Sequence, residues 1–137
     1  MRIVTWNCCG GECRRRADLI PHADIVVLQE CTKPTLPQDD GQCVWFQPPE
    51  RKRRSVGVVA RGDWRVARGP VNDAIPWVYQ VRVSGQVKFH MLAVWGQETP
   101  HYVACIMAGL AAYEKFLGDA KYSVVVGDFN SHTCFAP

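Results

Sequence analysis

Asp24-Ile25-Val26-Val27-Leu28-Gln29-Glu30 decides how the rest of the chain is read. Four consecutive large aliphatic residues without polar alternation, too few for a helix of ordinary length, read as a strand covered on both faces. That strand delivers a carboxylate, Glu30, at its C-terminal end. Residues 122–126 (YSVVV) repeat the pattern and run directly into Gly127-Asp128-Phe129-Asn130. Residues 2–6 (RIVTW) form a third β-rich run, which breaks at Asn7 into the small, turn-forming residues 8–11.

Between these strands the signals alternate. Residues 14–20 suit a short helix that stops before Pro21, and residues 31–42, with two prolines and Asp39-Asp40-Gly41, read as a loop. A short strand is expected at 44–47. Strands at 56–60, 64–67, 77–83 and 87–95 follow, and their short connections predict antiparallel neighbours. Thr99-Pro100 has the chemistry of a helix start, and Val103, Ile106, Met107, Leu110, Tyr113 and Leu117 continue at helical spacing to Gly118. Gly109 lowers the propensity of that helix by about 1 kcal/mol relative to Ala. There is no internal repeat and no linker.

Composition sets the outer bounds. At 137 residues, 47% hydrophobic and 21% charged, the chain fits one domain spanning 1–137 and excludes a multidomain, disordered or fibrous protein. Such a chain buries roughly two-thirds of its unfolded surface. No stretch approaches the ~20 apolar residues of a membrane helix, and the first twenty residues carry no apolar signal core. The seven cysteines, at 8, 9, 13, 31, 43, 105 and 134, are odd in number and include no Cys-x-x-Cys pair. Reduced thiols, no zinc and a cytoplasmic location are expected.

The net charge of +3 is unevenly spread: residues 1–70 hold 12 Lys/Arg against 8 Asp/Glu, residues 71–137 hold 4 against 5. Arg14-Arg15-Arg16 and Arg51-Lys52-Arg53-Arg54, with Arg61, Arg65 and Arg68, offer a positive face to a phosphate-bearing partner or simply a solvated one. The oligomeric state is left open.

Asn7, Glu30, and Asp128 with Asn130 each stand at the C-terminal end of a strand of buried character. Strand ends placed side by side would collect two carboxylates and two carboxamides in one crevice, an oxygen-only set suited to Mg²⁺ or Mn²⁺. Taken singly, each residue could equally cap a strand or start a turn.

Thr5-Trp6-Asn7, then residues 24–30 (DIVVLQE), then Val126-Gly127-Asp128-Phe129-Asn130-Ser131 resemble, in order, the motifs of the endonuclease/exonuclease/phosphatase superfamily. That family has the pancreatic-deoxyribonuclease-like fold of metal-dependent phosphodiesterases and phosphatases. The resemblance implies an α/β fold: a two-sheet β-sandwich flanked by helices in four layers (α/β/β/α), C-terminally incomplete in this chain. It implies that Glu30 is the principal metal-binding carboxylate and that Asn7 helps hold the metal. Asp128 would orient or deprotonate the attacking water, and Asn130 would contact the scissile phosphate. A cation offsetting phosphoryl charge and a carboxylate beside the water are what phosphodiester hydrolysis needs.

Two departures accompany the resemblance. Where family members often end a strand in Tyr or His, this chain has Trp95, which donates one hydrogen bond but accepts no proton; it reads as a core or pocket-wall aromatic, with phosphate contact as the lesser alternative. The family's C-terminal Asp-His motif has no counterpart before Pro137; His132 reads as a loop histidine, and His22, His90 and His101 carry no assigned role. The expected function is a divalent-metal-dependent phosphodiesterase, a nuclease acting on nucleic acid, with its machinery partly encoded here. The alternatives are a fragment that only binds phosphate or nucleic acid, and a phosphatase acting on a small phosphoester or phosphoinositide.

Overall fold

A computed structural model describes residues 1–35, 41–46, 53–97 and 102–130. The expectations for Arg51, Lys52, Thr99-Pro100, His101 and His132 lie outside the described residues. Among these residues, eight strands and three helices follow in the order β1 (Ile3–Asn7), α1 (Cys13–Asp18), β2 (Ile25–Thr32), β3 (Cys43–Trp45), β4 (Arg54–Ala60), β5 (Arg65–Arg68), β6 (Val78–Ser84), β7 (Phe89–Trp95), α2 (Tyr102–Ala112), α3 (Glu114–Gly118) and β8 (Ser123–Asp128). They build two four-stranded sheets, ordered β1-β2-β4-β3 and β5-β6-β7-β8. The fold is the expected α/β sandwich.

The alternation of side chains along each strand explains the layers. Ile25 and Val27 point between the sheets with Val56, Val58, Tyr79, Val81, Met91 and Ala93, while Val26 and Leu28 point outward against Cys13 and Ala17 of α1. The second sheet does the same. Leu92 and Val94 face outward against Ile106 and Tyr113. A strand sandwiched in this way has no solvent face, which is why residues 25–28 read as an unbroken apolar run.

The helices also dictate strand direction. The connection through α1 makes β1 and β2 parallel, with Asn7 opposite Gln29, and that through α2 and α3 makes β7 and β8 parallel, with Trp95 opposite Asp128. The other neighbours are antiparallel. Glu12 caps α1 by accepting hydrogen bonds from the Arg14 and Arg15 amides. At the other end, Arg61 donates to the carbonyls of Ala17 and Ile20 and lies 3.8 Å from the Asp18 carboxylate, so its guanidinium is engaged around the helix end. Arg65 likewise donates to the Gly62 and Trp64 carbonyls. The positive face expected from the arginines is therefore partly consumed by the fold.

Four details differ from expectation. β4 and β5 belong to different sheets, because the short turn between them crosses the sandwich. The strand containing Glu30 does not end there but continues to Thr32 through a bulge. β8 is only half-buried, since it lies at the edge of its sheet. The single helix expected up to residue 117 is two helices broken at Tyr113, whose backbone leaves helical geometry (φ −110°, ψ 15°) as its ring is buried against the second sheet. Gly109 has a purpose that propensity hides. A Cβ there would come within 2.8 Å of Val78, so its absence lets α2 approach β6 closely.

Burial also sets the behaviour of the protein in alkali. It pushes the Cys8 and Cys105 thiols above their ordinary value of 9.0 and the Tyr79 and Tyr113 phenols above 10.0. The Cys13 thiol is raised chiefly by its hydrogen bond with the Cys31 thiol, and burial adds to this. The unfolded chain gives up these protons at lower pH than the folded one. Their contribution to stability is therefore complete below about pH 9 and is lost as pH rises through the folded-state values. Thermal melting should hold level from neutral pH to about pH 9 and then fall progressively; a level profile through about pH 11 would contradict this.

Candidate active site

Three strands converge at one end of the sandwich. Asn7 is the last residue of β1 and Asp128 the last of β8, which belongs to the other sheet. Glu30 enters from β2 by a local irregularity. Leu28 pairs with Gly57 and Cys31 with Ser55, so one extra residue is accommodated between them, and Glu30 takes a left-handed conformation, φ 57°. A bulge of this kind re-aims a side chain at the rim of a sheet. It turns Glu30 out of the ladder.

One amide joins the three residues. Asn7 Nδ2 donates to Glu30 Oε1 and to Asp128 Oδ2, each at 2.9 Å, while Asn7 Oδ1 accepts from the Cys9 amide at 3.2 Å. Both amide protons thus hold carboxylates from opposite sheets side by side. Asp128 Oδ1 accepts from the Asn130 amide at 3.0 Å, and Asn130 Nδ2 donates to the Gly96 carbonyl at 2.5 Å. Asn130 is also left-handed, φ 43°, which folds the chain back onto the end of β7. The second oxygen of Glu30, Oε2, accepts from Arg54 Nη1 at 3.1 Å.

Below this layer a polar clasp sets the register. Gln29, fully buried, donates through Nε2 to Thr5 Oγ1 at 3.0 Å, and the hydroxyl lies 3.2 Å from Gln29 Oε1. Because a buried amide left unpaired costs about 1–3 kcal/mol, this pair holds β1 and β2 in the one alignment that places Asn7 beside Glu30. Both residues stand inside the sequence motifs, yet sequence reasoning assigned them no role; the signal was a polar residue inside a run buried on both faces.

Glu30, Arg53, Arg54, Trp95 and Gln97 line a cavity of about 450 Å³. Two larger cavities, about 650 Å³ each, lie elsewhere, one against α1 and one at the opposite end of β7. Trp95 is 5% exposed and packs edge-on against Trp77 with ring centres 5.0 Å apart. Its Nε1 is buried without an acceptor among the described residues. The structure thus brings Asn7, Glu30, Asp128 and Asn130 together, with Arg53, Arg54 and Trp95 at their edge. His22 lies in the turn before β2, and His90 stacks on Phe116 near the start of β7 with Nδ1 2.5 Å from the Phe116 carbonyl oxygen.

No family model matches the chain, and no curated protein matches it. Among solved structures it is similar to the endonuclease domain of TRAS1, a telomere-specific non-LTR retrotransposon, with a TM-score of 0.58 at 13% identity over 85% of this chain and 52% of that one. Identity this low shows a shared fold. The chain spans about half the length of the endonuclease domain it matches.

Proposed function

We propose that this chain carries the metal-binding and water-positioning part of a nuclease of the endonuclease/exonuclease/phosphatase superfamily, acting on the phosphodiester bonds of nucleic acid. One observation carries the reading: a single amide, Asn7 Nδ2, gathers carboxylates from two different sheets, and one of them, Glu30, lines a cavity. Acidic groups of like charge are costly to place together unless the arrangement has a use.

The donor chemistry fits a hard divalent cation. Among the described residues no group of three or more His, Cys, Asp or Glu is arranged to hold a metal, whereas Mg²⁺ commonly takes only one or two carboxylates and fills its remaining positions with water and phosphate oxygens. Glu30 would hold Mg²⁺ or Mn²⁺, and Asn7 would orient it. When bound, the cation would offset the charge that develops on the phosphoryl oxygens.

The chain's own groups supply the remainder. Asp128 is held by Asn7 and the Asn130 amide, and this fixed carboxylate supports its role as the group that takes a proton from the attacking water. Asn130, anchored on Gly96, would contact the phosphate, and Arg53 and Arg54 add positive charge beside Glu30. Trp95 walls the cavity and moves no proton. The similar structure is an endonuclease domain, which favours nucleic acid as the substrate.

A second reading, phosphate or nucleic-acid binding without turnover, is favoured by one fact: Arg53 and Arg54 line the cavity, and Arg54 pairs with the Glu30 carboxylate. Single-turnover cleavage of labelled DNA and RNA with Mg²⁺ separates the two. The comparison is between this chain, any longer gene product carrying an Asp-His segment, and Glu30→Ala/Asp128→Ala versions of both. Cleavage lost in the double variant supports the nuclease; salt-sensitive binding with no cleavage in either wild-type form supports the binding module. Cleavage that survives the double substitution would remove the site.

A further inference from the structure

Arg54 is placed by the backbone. It begins β4 opposite Thr32, directly past the bulge that exposes Glu30, so the strand pairing itself brings a guanidinium over that carboxylate. The other side of the guanidinium rests on the β1–α1 loop, where a Cβ added at Gly10 would lie 3.4 Å from Nη2. Among the described residues Arg54 is the basic side chain paired with Glu30, and its neighbour Arg53 lines the same cavity without pairing to it. The Arg54 side chain is 50% exposed, against 24% for Glu30.

We infer that Arg54 is a built-in counter-ion of Glu30: it occupies the carboxylate oxygen that a divalent cation needs, is displaced when the cation binds, and is then released to the substrate phosphate. This rests on the proposed metal site at Glu30. Oε1 accepts from Asn7 and Oε2 from Arg54, so a cation approaching Oε2 meets the guanidinium charge, and the partner that can leave is the half-exposed one. An exposed ion pair is weak enough to open readily. A guanidinium also matches the paired oxygens of a phosphodiester as well as those of a carboxylate, so the exchange gives Arg54 an equivalent partner. Cation and phosphate binding would thereby favour one another. The arrangement also keeps two neighbouring carboxylates partly neutralised while no cation is bound.

The test is Mn²⁺ binding at equilibrium, with free Mn²⁺ read by electron paramagnetic resonance, on the full chain and on Arg54→Gln, Arg54→Lys, Arg53→Gln and Glu30→Gln, with thermal melting of each as a folding control. Arg54→Gln should bind Mn²⁺ about threefold to tenfold more tightly than wild type, because a competing charge is gone. Arg54→Lys should stay near wild type, and Arg53→Gln should change affinity by less than about twofold, since it removes the same charge without the pairing. Equal or weaker affinity in Arg54→Gln, or the same gain in Arg53→Gln, would overturn the competition while leaving the metal site intact. No saturable Mn²⁺ binding, or binding indifferent to Glu30→Gln, would overturn the metal site and this inference together.

Discussion

Replacing Asp128 with Asn is expected to reduce single-turnover nucleic-acid cleavage by about 10²- to 10⁴-fold, the range for removing a positioned general base. The change is close to isosteric, so the effect reports charge and proton acceptance rather than shape. The carboxylate accepts two hydrogen bonds, from Asn7 Nδ2 and from the Asn130 amide, on different oxygens. A carboxamide satisfies one of these with its single oxygen and turns an amino group toward the other donor. Stability should therefore fall by only about 1 kcal/mol, while a group able to take a proton from water is lost. Cleavage assays on both proteins, with melting curves at the same pH, separate the two effects. An Asp128→Asn protein that cleaves at the wild-type rate would take Asp128 out of the chemistry.

Gly127→Ala is expected to prevent folding, with a loss above about 4 kcal/mol, a size reserved for severe mechanisms such as backbone collision. Gly127 pairs with Val94 in the parallel β7–β8 ladder and has φ 152°, a conformation that L side chains rarely adopt. A Cβ there would sit 1.9 Å from the Val94 carbonyl oxygen and 2.8 Å from the Val94 amide nitrogen. Neither is the tip of a flexible side chain. Relief would require β8 to leave β7, which would carry Asp128 away from Asn7. Gly118→Ala makes the control, because nothing lies within 4 Å of the added carbon; there the helix former should leave stability unchanged or raise it by up to about 1 kcal/mol. Urea unfolding of both variants checks the pair, and a Gly127→Ala protein with the wild-type midpoint would show that the strand tolerates the group.

The glycine illustrates how far the motif could be read. Its place before Asp128 is plain in the sequence, but the reason for it is a strand more than thirty residues earlier in the chain. The same holds for Glu30. The apolar run before it announces a strand buried on both faces, yet nothing in residues 24–30 announces that the strand continues and that a left-handed bulge turns the carboxylate outward. The helix after residue 100 was legible from its spacing. Its break at Tyr113 was not, because the break follows from burying one ring against the second sheet. Arg54 stood out as part of a basic run, whereas its pairing with Glu30 depends on the register of β2 and β4.

The sandwich class came from the family resemblance; from the residues themselves came the strands buried on both faces and the candidate-site residues at their ends, Asn7, Glu30, Asp128 and Asn130. These are legible because burial is written in the local period of apolar residues and turn chemistry in single residue types. Only the tertiary structure decided which sheet each strand joins, that Asn7 is the amide linking Glu30 to Asp128 across the sandwich, and that Arg54 rather than Arg53 meets Glu30. Asn7 and Asp128 are 121 residues apart in sequence. No local pattern can carry such a contact, because it exists only once two separately built sheets pack face to face and their strand ends coincide.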